Sequence, residues 1–322
     1  MSTAAHGKPA ARTSVRRMQE TDISTARSIL RVAFGTFIGV PDPSSFASDK
    51  EYVATRWKAN PDAALVAEAD GAVLGSNFAT NWGSFGFFGP LTVLPEFWNQ
   101  GVAQGLLGAT MDLFDAWGVR EAGLFTFAQS GRHVHLYQKF GFWPRFLTAI
   151  MQKPAVSQAT TPWTKYSGLS SGERREVLSA GKALTDLIFE GLDVSAEIRS
   201  VEEQKLGDTV LLWNGDALDA FAVCHCGEGT EAGANNCYVK FAAVRPSANA
   251  ENTFEQLLTA CEALGVERGL KRVEAGVNLG RTRSYRNMLE QGFRTEIQGV
   301  AMHRADLPGF NRPDVFVVDD WR

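Results

Sequence analysis

The chain has 322 residues, of which 44% are hydrophobic and 21% charged, and its formal net charge is −4. This length and composition are typical of a globular protein with two cores, and no apolar run approaches the roughly 20 residues that span a bilayer. No basic stripe is visible, which argues against nucleic acid as a partner. Residues 1–12 are small and polar and lack an apolar signal core, so we expect a disordered tail and a cytoplasmic protein.

Hydrophobic periodicity predicts strands and helices throughout the first half of the chain. Strands are predicted at 14–18, 63–69, 72–82, 85–93, 122–127 and 142–151, and helices at 22–34, 48–57, 101–118 and 131–140. Asp70-Gly71 has the composition of a hairpin turn between the second and third strands. These elements predict one domain over residues 13–151.

The same order of elements recurs after residues 152–164, a linker with two prolines among serine, threonine and alanine residues. Helices are predicted at 171–189, 194–203, 253–268 and 282–291, and strands at 209–213, 217–225, 237–244, 272–277 and 293–302. They predict a second domain over residues 165–303. Residues 304–322 are rich in apolar and aromatic side chains, so we expect this tail to dock on the fold, across the domain interface.

The two halves align without a gap at a constant shift of 151 positions. Val93-Leu94-Pro95 matches Val244-Arg245-Pro246, Leu106-Leu107 matches Leu257-Leu258, and Gly141-Phe142 matches Gly292-Phe293. Two apolar helices can match by chance at one place, whereas a common register over a strand end, a helix and a Gly-Phe turn indicates a duplicated fold.

Residues 98–107 are the segment best suited to binding a ligand. They follow an apolar strand and open a helix, and their small residues let backbone N–H groups approach a ligand closely. Such N–H groups at a helix N-terminus attract anions, typically phosphate. The predicted cradle consists of Gln100, Gly101, Val102, Ala103, Gln104 and Gly105. In the second half Asn252, Phe254 and Glu255 replace Gly101, Ala103 and Gln104, and a bulky ring and a carboxylate there oppose phosphate binding.

These residues resemble the motifs of the GCN5-related N-acetyltransferase (GNAT) superfamily. Its motif Arg/Gln-x-x-Gly-x-Gly/Ala after a Val-x-Pro strand end matches Val93, Pro95, Gly101 and Ala103, with Trp98 at the Arg/Gln position. Its later motif Asn-x-x-Ala-x-x-x-Tyr-x-x-x-Gly-Phe matches Tyr137, Gly141 and Phe142, with Ser130 and His133 at the Asn and Ala positions. The resemblance is clear over residues 14–151 and weaker over 165–303. It implies an α+β fold, with a mixed, mostly antiparallel sheet and flanking helices, in two tandem GNAT-like domains.

The resemblance also implies acetyl-CoA, or another acyl-CoA, as co-substrate and no metal. The diphosphate would lie on the N–H groups of the cradle, and the pantetheine arm would pair with Leu91, Thr92 and Val93, with Ser130 also in the cofactor site. Tyr137 would lie near the sulfur and protonate the departing thiolate. The acyl group would then pass directly to a neutral amine in a ternary complex.

The residue that takes the proton from the amine is left open. Strands 72–82 and 85–93 contain no Asp or Glu, so a base carried on a strand is missing. His133 lies one helical turn before Tyr137 and can be a base, a cofactor contact or a solvated side chain. Asp319, Asp320 or the terminal carboxylate is a further hypothesis for the base.

All four cysteines lie in the second half, at positions 224, 226, 237 and 261. A metal site is one interpretation of Cys224-His225-Cys226 with Cys237. The alternative is that these thiols are small core residues on facing strands, since zinc knuckles normally have two to four residues between ligands. We expect the second arrangement.

Two functions remain open at this point. The first is an acyl-CoA-dependent N-acyltransferase with its active site in the first half and a degenerate second half. The second is a non-catalytic acyl-CoA-binding or interaction protein that keeps the fold. The acceptor is a small-molecule or peptide amine, and the oligomeric state is open, with a homodimer among the alternatives.

Overall fold

The computed structural model describes residues 13–156 and 161–322. The first half contains β1 (Ser14–Arg17), α1 (Ile23–Ile38), α2 (Val53–Ala59), β2 (Ala64–Ala69), β3 (Ala72–Trp82), β4 (Phe85–Phe88), β5 (Thr92–Val93), α3 (Val102–Trp117), β6 (Glu121–Thr126), α4 (Gly131–Gln138) and β7 (Trp143–Pro154). The second half contains β8 (Thr164–Lys165), α5 (Ser171–Ile188), α6 (Ser195–Gln204), β9 (Gly207–Asn214), β10 (Ala217–Cys226), β11 (Asn236–Val244), α7 (Ala250–Glu267), β12 (Arg272–Asn278), α8 (Thr282–Glu290), β13 (Arg294–Arg304) and β14 (Val317–Val318). The predicted α+β class, with a mixed, mostly antiparallel sheet and flanking helices, is confirmed.

Several predicted boundaries differ from the structure, and three of them bear on the first half and the linker. The helix expected from residue 48 starts at Val53, because the Glu51 carboxylate accepts the Ala54 N–H (2.9 Å) and caps the helix there. The strand expected at 85–93 is broken into β4 and β5 at Gly89-Pro90, where proline has no N–H for a strand ladder. β7 extends to Pro154, into the predicted linker. The predicted tail at residues 1–12 lies outside the described residues.

The last strands of the two halves are exchanged. The sheet runs in the order β1-β2-β3-β4-β6-β13-β7-β12-β11-β10-β9-β8. β13, from the second half, pairs antiparallel with β6 of the first half, and β7, from the first half, pairs antiparallel with β12 of the second. β7 and β13 also pair with each other. Each half therefore supplies a strand to the other, and both share one sheet.

Helices cover both faces of this sheet because its strands alternate between two cores. In β2, Val66 packs under α1 and α2, whereas its neighbour Leu65 packs under α3 on the opposite face. Aromatic rings join the halves, with Trp82 of β3 lying 5.1 Å from Phe241 of β11 between ring centroids. Within the described ranges no helix has both the length and the apolar character to cross a membrane.

The backbone turns in the same way at equivalent positions of the two halves. Gly118 and Gly269 end α3 and α7 with φ of 68° and 69°, and Gly141 and Gly292 lead into β7 and β13 with φ of 82° and 92°. A side chain is disfavoured in this left-handed region, which explains the four glycines. The parallel pair β4–β6 begins at Phe85↔Glu121, and β11–β12 begins 151 positions later at Asn236↔Arg272.

Candidate functional site

A cleft opens in the first half where β4 and β6 stop pairing. The two strands pair in parallel from Phe85↔Glu121 to Phe87↔Gly123. Beyond this point β5 pairs with β3 alone, and the Leu94 N–H donates to the Leu74 carbonyl (2.9 Å). Because backbone groups alternate in direction along an antiparallel strand, Leu91 and Val93 direct theirs away from β3, into the cleft. Among the described residues no strand pairs with this edge of the predicted pantetheine strand, where the Val93 carbonyl accepts the Trp98 indole N–H (2.7 Å).

The predicted cradle lies at the end of this strand. Asn99 and Gly101 both have positive φ, at 62° and 84°, and α3 begins directly after them at Val102. A Cβ on Gly101 would meet no atom within 4 Å, so its backbone conformation, not packing, requires glycine.

The N–H groups of the first helical turn are available to a ligand. The first N–H that bonds within the helix is that of Gly105, which donates to the Gly101 carbonyl. The N–H groups before it, those of Val102, Ala103 and Gln104, have no partner within the helix. Gln100, Gly101, Gln104 and Gly105 are exposed, and the first turn of α3 carries no acidic side chain. Free N–H groups and the helix dipole favour an anion at this end of α3.

Tyr137 lies between the strands of the cleft. Its ring packs 5.8 Å from the ring of Phe88, at the end of β4, in a cluster that also contains Leu124 of β6. Burial raises the pKa of Tyr137 above its ordinary value. The phenol therefore keeps its proton over the physiological range, as a general acid requires.

Ser130 and His133 lie at the mouth of the cleft. Ser130 is buried at the start of α4, and its side chain makes no capping hydrogen bond. A pocket of about 640 Å³ lies here, lined by Phe37, Ile38, Phe127, Gln129, Ser130, Gly131, Arg132 and Ile297. The His133 ring packs 4.8 Å from the Phe37 ring, and burial, together with the neighbouring Arg132 cation, lowers the pKa of His133. His133 is therefore neutral at pH 7 and faces an aromatic ring.

The equivalent cleft of the second half is filled by the chain itself. β14 pairs antiparallel with β11 at Ala242↔Val318 and Ala243↔Val317. Ala242 and Ala243 correspond to Leu91 and Thr92 at the shift of 151 positions. In the second half the C-terminal segment thus pairs with these strand positions. In the first half the equivalent positions are those at which the sequence predicts the pantetheine arm.

The contacts of this inserted segment show which positions face the cleft. The Arg281 guanidinium donates to the Val317 carbonyl (2.7 Å) and to the Asp319 carboxylate (2.6 Å), and the Ser284 hydroxyl donates to the Val315 carbonyl (2.8 Å). Arg281 and Ser284 correspond to Ser130 and His133. Ser130 and His133 therefore occupy the positions equivalent to the two residues that hold the inserted segment in the second half.

The second half also lacks the cradle. α7 begins at Ala250, which corresponds to Asn99, so residues that form the loop in the first half are helical here. The Glu251 carboxylate pairs with Arg283 (2.6 Å), and the Glu255 carboxylate accepts from the Asn287 amide (2.8 Å). Carboxylates of the chain thus occupy the end of α7 where an anion would bind.

Two hypotheses for the base concern residues of the filled cleft. Asp319 pairs with Arg281, and Asp320 accepts from the Tyr238 hydroxyl (2.9 Å). A Cβ on Gly276 of β12 would lie 2.3 Å from that of Asp320, so Asp320 packs on the second half's strand. Both carboxylates have structural partners there, and neither contacts Tyr137.

Sequence reasoning missed a buried charged cluster between the halves. The Arg56 guanidinium donates to the Gly89 carbonyl (2.5 Å), at the β4–β5 break, and to the Glu231 carboxylate (2.8 Å). Lys240 bridges Glu231 (3.1 Å) and Glu197 (3.2 Å). Arg56 lies on α2, and nothing in the local sequence distinguishes it from a solvated arginine. Its contacts fix the strand break against the second half.

The four cysteines are free thiols in or beside the second core. The Sγ atoms of Cys224 and Cys261, and those of Cys226 and Cys237, lie 3.9 Å apart. Within residues 13–156 and 161–322, no group of three or more His, Cys, Asp or Glu side chains is arranged to hold a metal ion.

The mostly antiparallel sheet with helices on both faces, the diverging parallel pair β4–β6 and the loop that opens α3 define a fold of the GNAT type. Residues 28–142 match the acetyltransferase (GNAT) family model. This match covers most of the first half of the chain. A comparison with curated protein sequences gives no match.

Solved structures share the fold over nearly the whole chain. A candidate acetyltransferase from Pyrococcus horikoshii is 12% identical, with a TM-score of 0.65 over 98% of this chain and 96% of its own. A GCN5-related N-acetyltransferase from Sphaerobacter thermophilus is 14% identical, with a TM-score of 0.59 over 90% and 95%. One from Anabaena variabilis is 14% identical, with a TM-score of 0.53 over 91% and 72%. At these identities the likeness extends to the fold alone.

Proposed function

We propose that the chain transfers an acyl group, most simply acetyl, from acyl-CoA to a primary amine, with one active site per chain in the first half. The observation that carries this proposal is the contrast between the two equivalent clefts. One is open and has the cradle and Tyr137. The other is filled by β14 and has Met288 at the position of Tyr137.

The residues present fit acyl-CoA along the first cleft. The N–H groups from Val102 to Gln104 would hold the diphosphate, and the backbone of Leu91 to Val93 would pair with the pantetheine amides. Ser130 and His133, by analogy with Arg281 and Ser284, would contact the arm. Bound acyl-CoA supplies an activated thioester, so the chain has only to position the amine and move protons.

Tyr137 holds the proton that the reaction needs on the sulfur side. As the amine nitrogen bonds to the acyl carbon and the carbon–sulfur bond breaks, the electron pair of that bond moves to sulfur. The Tyr137 phenol donates its proton to the departing thiolate. The amine loses its own proton to water or to neutral His133, which the structure leaves as alternatives.

The test is acyl transfer by the Tyr137→Phe variant. The wild type should release CoA from acetyl-CoA with a member of an amine library, measured as free thiol. Tyr137→Phe should lower kcat about 100-fold, the usual size of a lost general acid, and leave KM for acetyl-CoA unchanged because the ring still packs on Phe88. Tyr166→Phe, a buried tyrosine of the second half, is the matched control and should turn over normally. Equal rates for all three proteins would contradict the assignment of Tyr137.

A second candidate, non-catalytic binding of acyl-CoA, is favoured by one observation. β3, β4 and β5 carry no Asp or Glu. Binding of acetyl-CoA without thiol release, over the whole amine library, would select this candidate. Release with any amine would exclude it.

A further inference from the structure

The cradle has no cation of its own. From Glu96 to Leu107 the sequence contains no Lys or Arg, and Glu96 is its only charged residue. A helix N-terminus contributes roughly half a positive charge, whereas the diphosphate of acyl-CoA, which we take from the proposed function, carries about two negative charges. A nearby side chain must therefore supply a cation if the diphosphate is to be neutralised.

Arg132, in the first turn of α4, is held beside the loop. Its guanidinium lies 4.8 Å from the centroid of the Trp98 ring, and Arg132 lines the pocket at the mouth of the cleft. It is exposed and forms no ion pair with an acidic side chain of the described residues. The guanidinium is thus positioned without a counterion.

Trp98 provides a fixed platform for this cation. Its indole N–H donates to the Val93 carbonyl (2.7 Å) at the end of β5, which ties the ring to the strand that lines the cleft. A cation over an indole face is attracted by the ring quadrupole, and stacking limits the rotamers of a long side chain. Trp98 therefore restricts Arg132 to the space in front of the cradle.

The second half shows what an arginine at this position binds. Arg283 corresponds to Arg132 and also stacks on an aromatic ring, that of Phe316 (5.2 Å). It pairs with the Glu251 carboxylate (2.6 Å), and Glu251 corresponds to Gln100 of the cradle. In the filled cleft the arginine is therefore paired with the Glu251 carboxylate. The open cleft has the neutral Gln100 at that position.

We infer that Arg132 binds the diphosphate of acyl-CoA and that Trp98 is a positioning residue for it. Arginine suits this role because its planar guanidinium donates two parallel hydrogen bonds to phosphate oxygens. The glutamate of the second half takes the place of that phosphate. The inference rests on the proposed use of acyl-CoA. It adds the residue that recognises the diphosphate, which is the charged part of the donor.

Calorimetry with acetyl-CoA tests the inference. Arg132→Gln should raise the Kd about tenfold, the size of one lost charge-assisted contact. Arg283→Gln removes the same charge at the equivalent position and should leave the Kd within twofold of the wild type. S-acetylpantetheine, which lacks the diphosphate, should bind the wild type and Arg132→Gln alike.

Trp98 is tested by a double-mutant cycle. Trp98→Phe should retain affinity through its ring, whereas Trp98→Leu should weaken acetyl-CoA binding. Trp98→Leu combined with Arg132→Gln should be no weaker than Arg132→Gln alone, because the platform acts only through the cation.

Three results would overturn the inference: equal Kd values for Arg132→Gln and Arg283→Gln, an equal loss with S-acetylpantetheine, or additive losses in the cycle. Failure of the wild type itself to bind acetyl-CoA would instead refute the proposed function, so the two failures are distinguishable. Circular dichroism of each variant checks that it is folded.

Discussion

The two clefts of this chain have the same backbone register and opposite contents. Equivalent strand pairs open at positions 151 residues apart, and equivalent glycines have nearly equal φ. The first cleft ends in a loop with two positive φ values, whereas in the second the same positions are helical and β14 fills the gap. The comparison shows that the framework alone does not make a ligand site. The halves differ in the geometry of the loop, in cleft residues such as Tyr137 and its counterpart Met288, and in the segment that fills the second opening.

The largest effect expected from this contrast is the loss of ligand binding when the first loop is made like the second. Gly101→Glu places a carboxylate before α3 and a side chain at φ 84°, so the dipole is neutralised and the loop strained. Acetyl-CoA binding should fall by more than 100-fold in calorimetry. Asn252→Glu, at the equivalent position, should leave the Kd and the stoichiometry of one per chain unchanged. A stoichiometry of two in the wild type would contradict the contrast.

The filled cleft should contribute to stability instead of binding. Phe316 is 3% exposed, and its ring packs 5.4 Å from the ring of Phe254 of α7. Phe316→Ala should lower the free energy of unfolding by about 3 kcal/mol, as is usual for a buried phenylalanine, with the Kd for acetyl-CoA unchanged. Leu307→Ala, at a residue 55% exposed on the same segment, should change stability by less than about 0.5 kcal/mol. Urea denaturation measures both, and similar values would show that the segment is not anchored.

A smaller effect should appear as a pH dependence of the second half. His225 of β10 is 1% exposed, and neither ring nitrogen has a hydrogen-bond partner among the described residues. Burial, with the nearby Lys240 ammonium, lowers the pKa of His225 from 6.5 to about 3. Between these values the unfolded chain binds a proton that the folded chain does not, so stability falls as the pH falls.

The free energy of unfolding should fall by about 2 kcal/mol on account of His225 when the pH is lowered from 7 to 5. His225→Leu removes the titrating group. Between pH 7 and pH 5 the free energy of unfolding of this variant should therefore fall by about 2 kcal/mol less than that of the wild type. Urea denaturation at both pH values gives the comparison. Parallel changes in the two proteins would contradict a neutral buried imidazole.

The sequence predicted most helices, most strands and the common register, because periodicity and glycine positions are local properties. The difference in backbone between residues 99–101 and 250–252 accompanies the replacements at Phe254 and Glu255, which are visible without a structure, whereas the cradle itself stays a prediction. The sequence did not predict the exchange of β7 and β13. The alternation of apolar and polar residues shows which face of a strand is buried, but it does not show which strands lie beside it.

Other features were missed for related reasons. β14 has only two residues, too few to show a period. Arg132 and Arg56 appear in the sequence as ordinary charges on amphipathic helices, and only tertiary structure shows that one stacks on Trp98 and the other reaches Gly89.

The exchange of β7 and β13 also constrains how the protein is made. β6, one wall of the first cleft, pairs with β13, which ends at Arg304. The ribosome must therefore synthesise the chain as far as β13 before this second edge of β6 is paired. Until then, β6 and β7 expose unpaired edges to other nascent chains, the situation in which chaperones are needed. A gene truncated after the first half would therefore encode an open-edged, aggregation-prone sheet instead of a minimal enzyme.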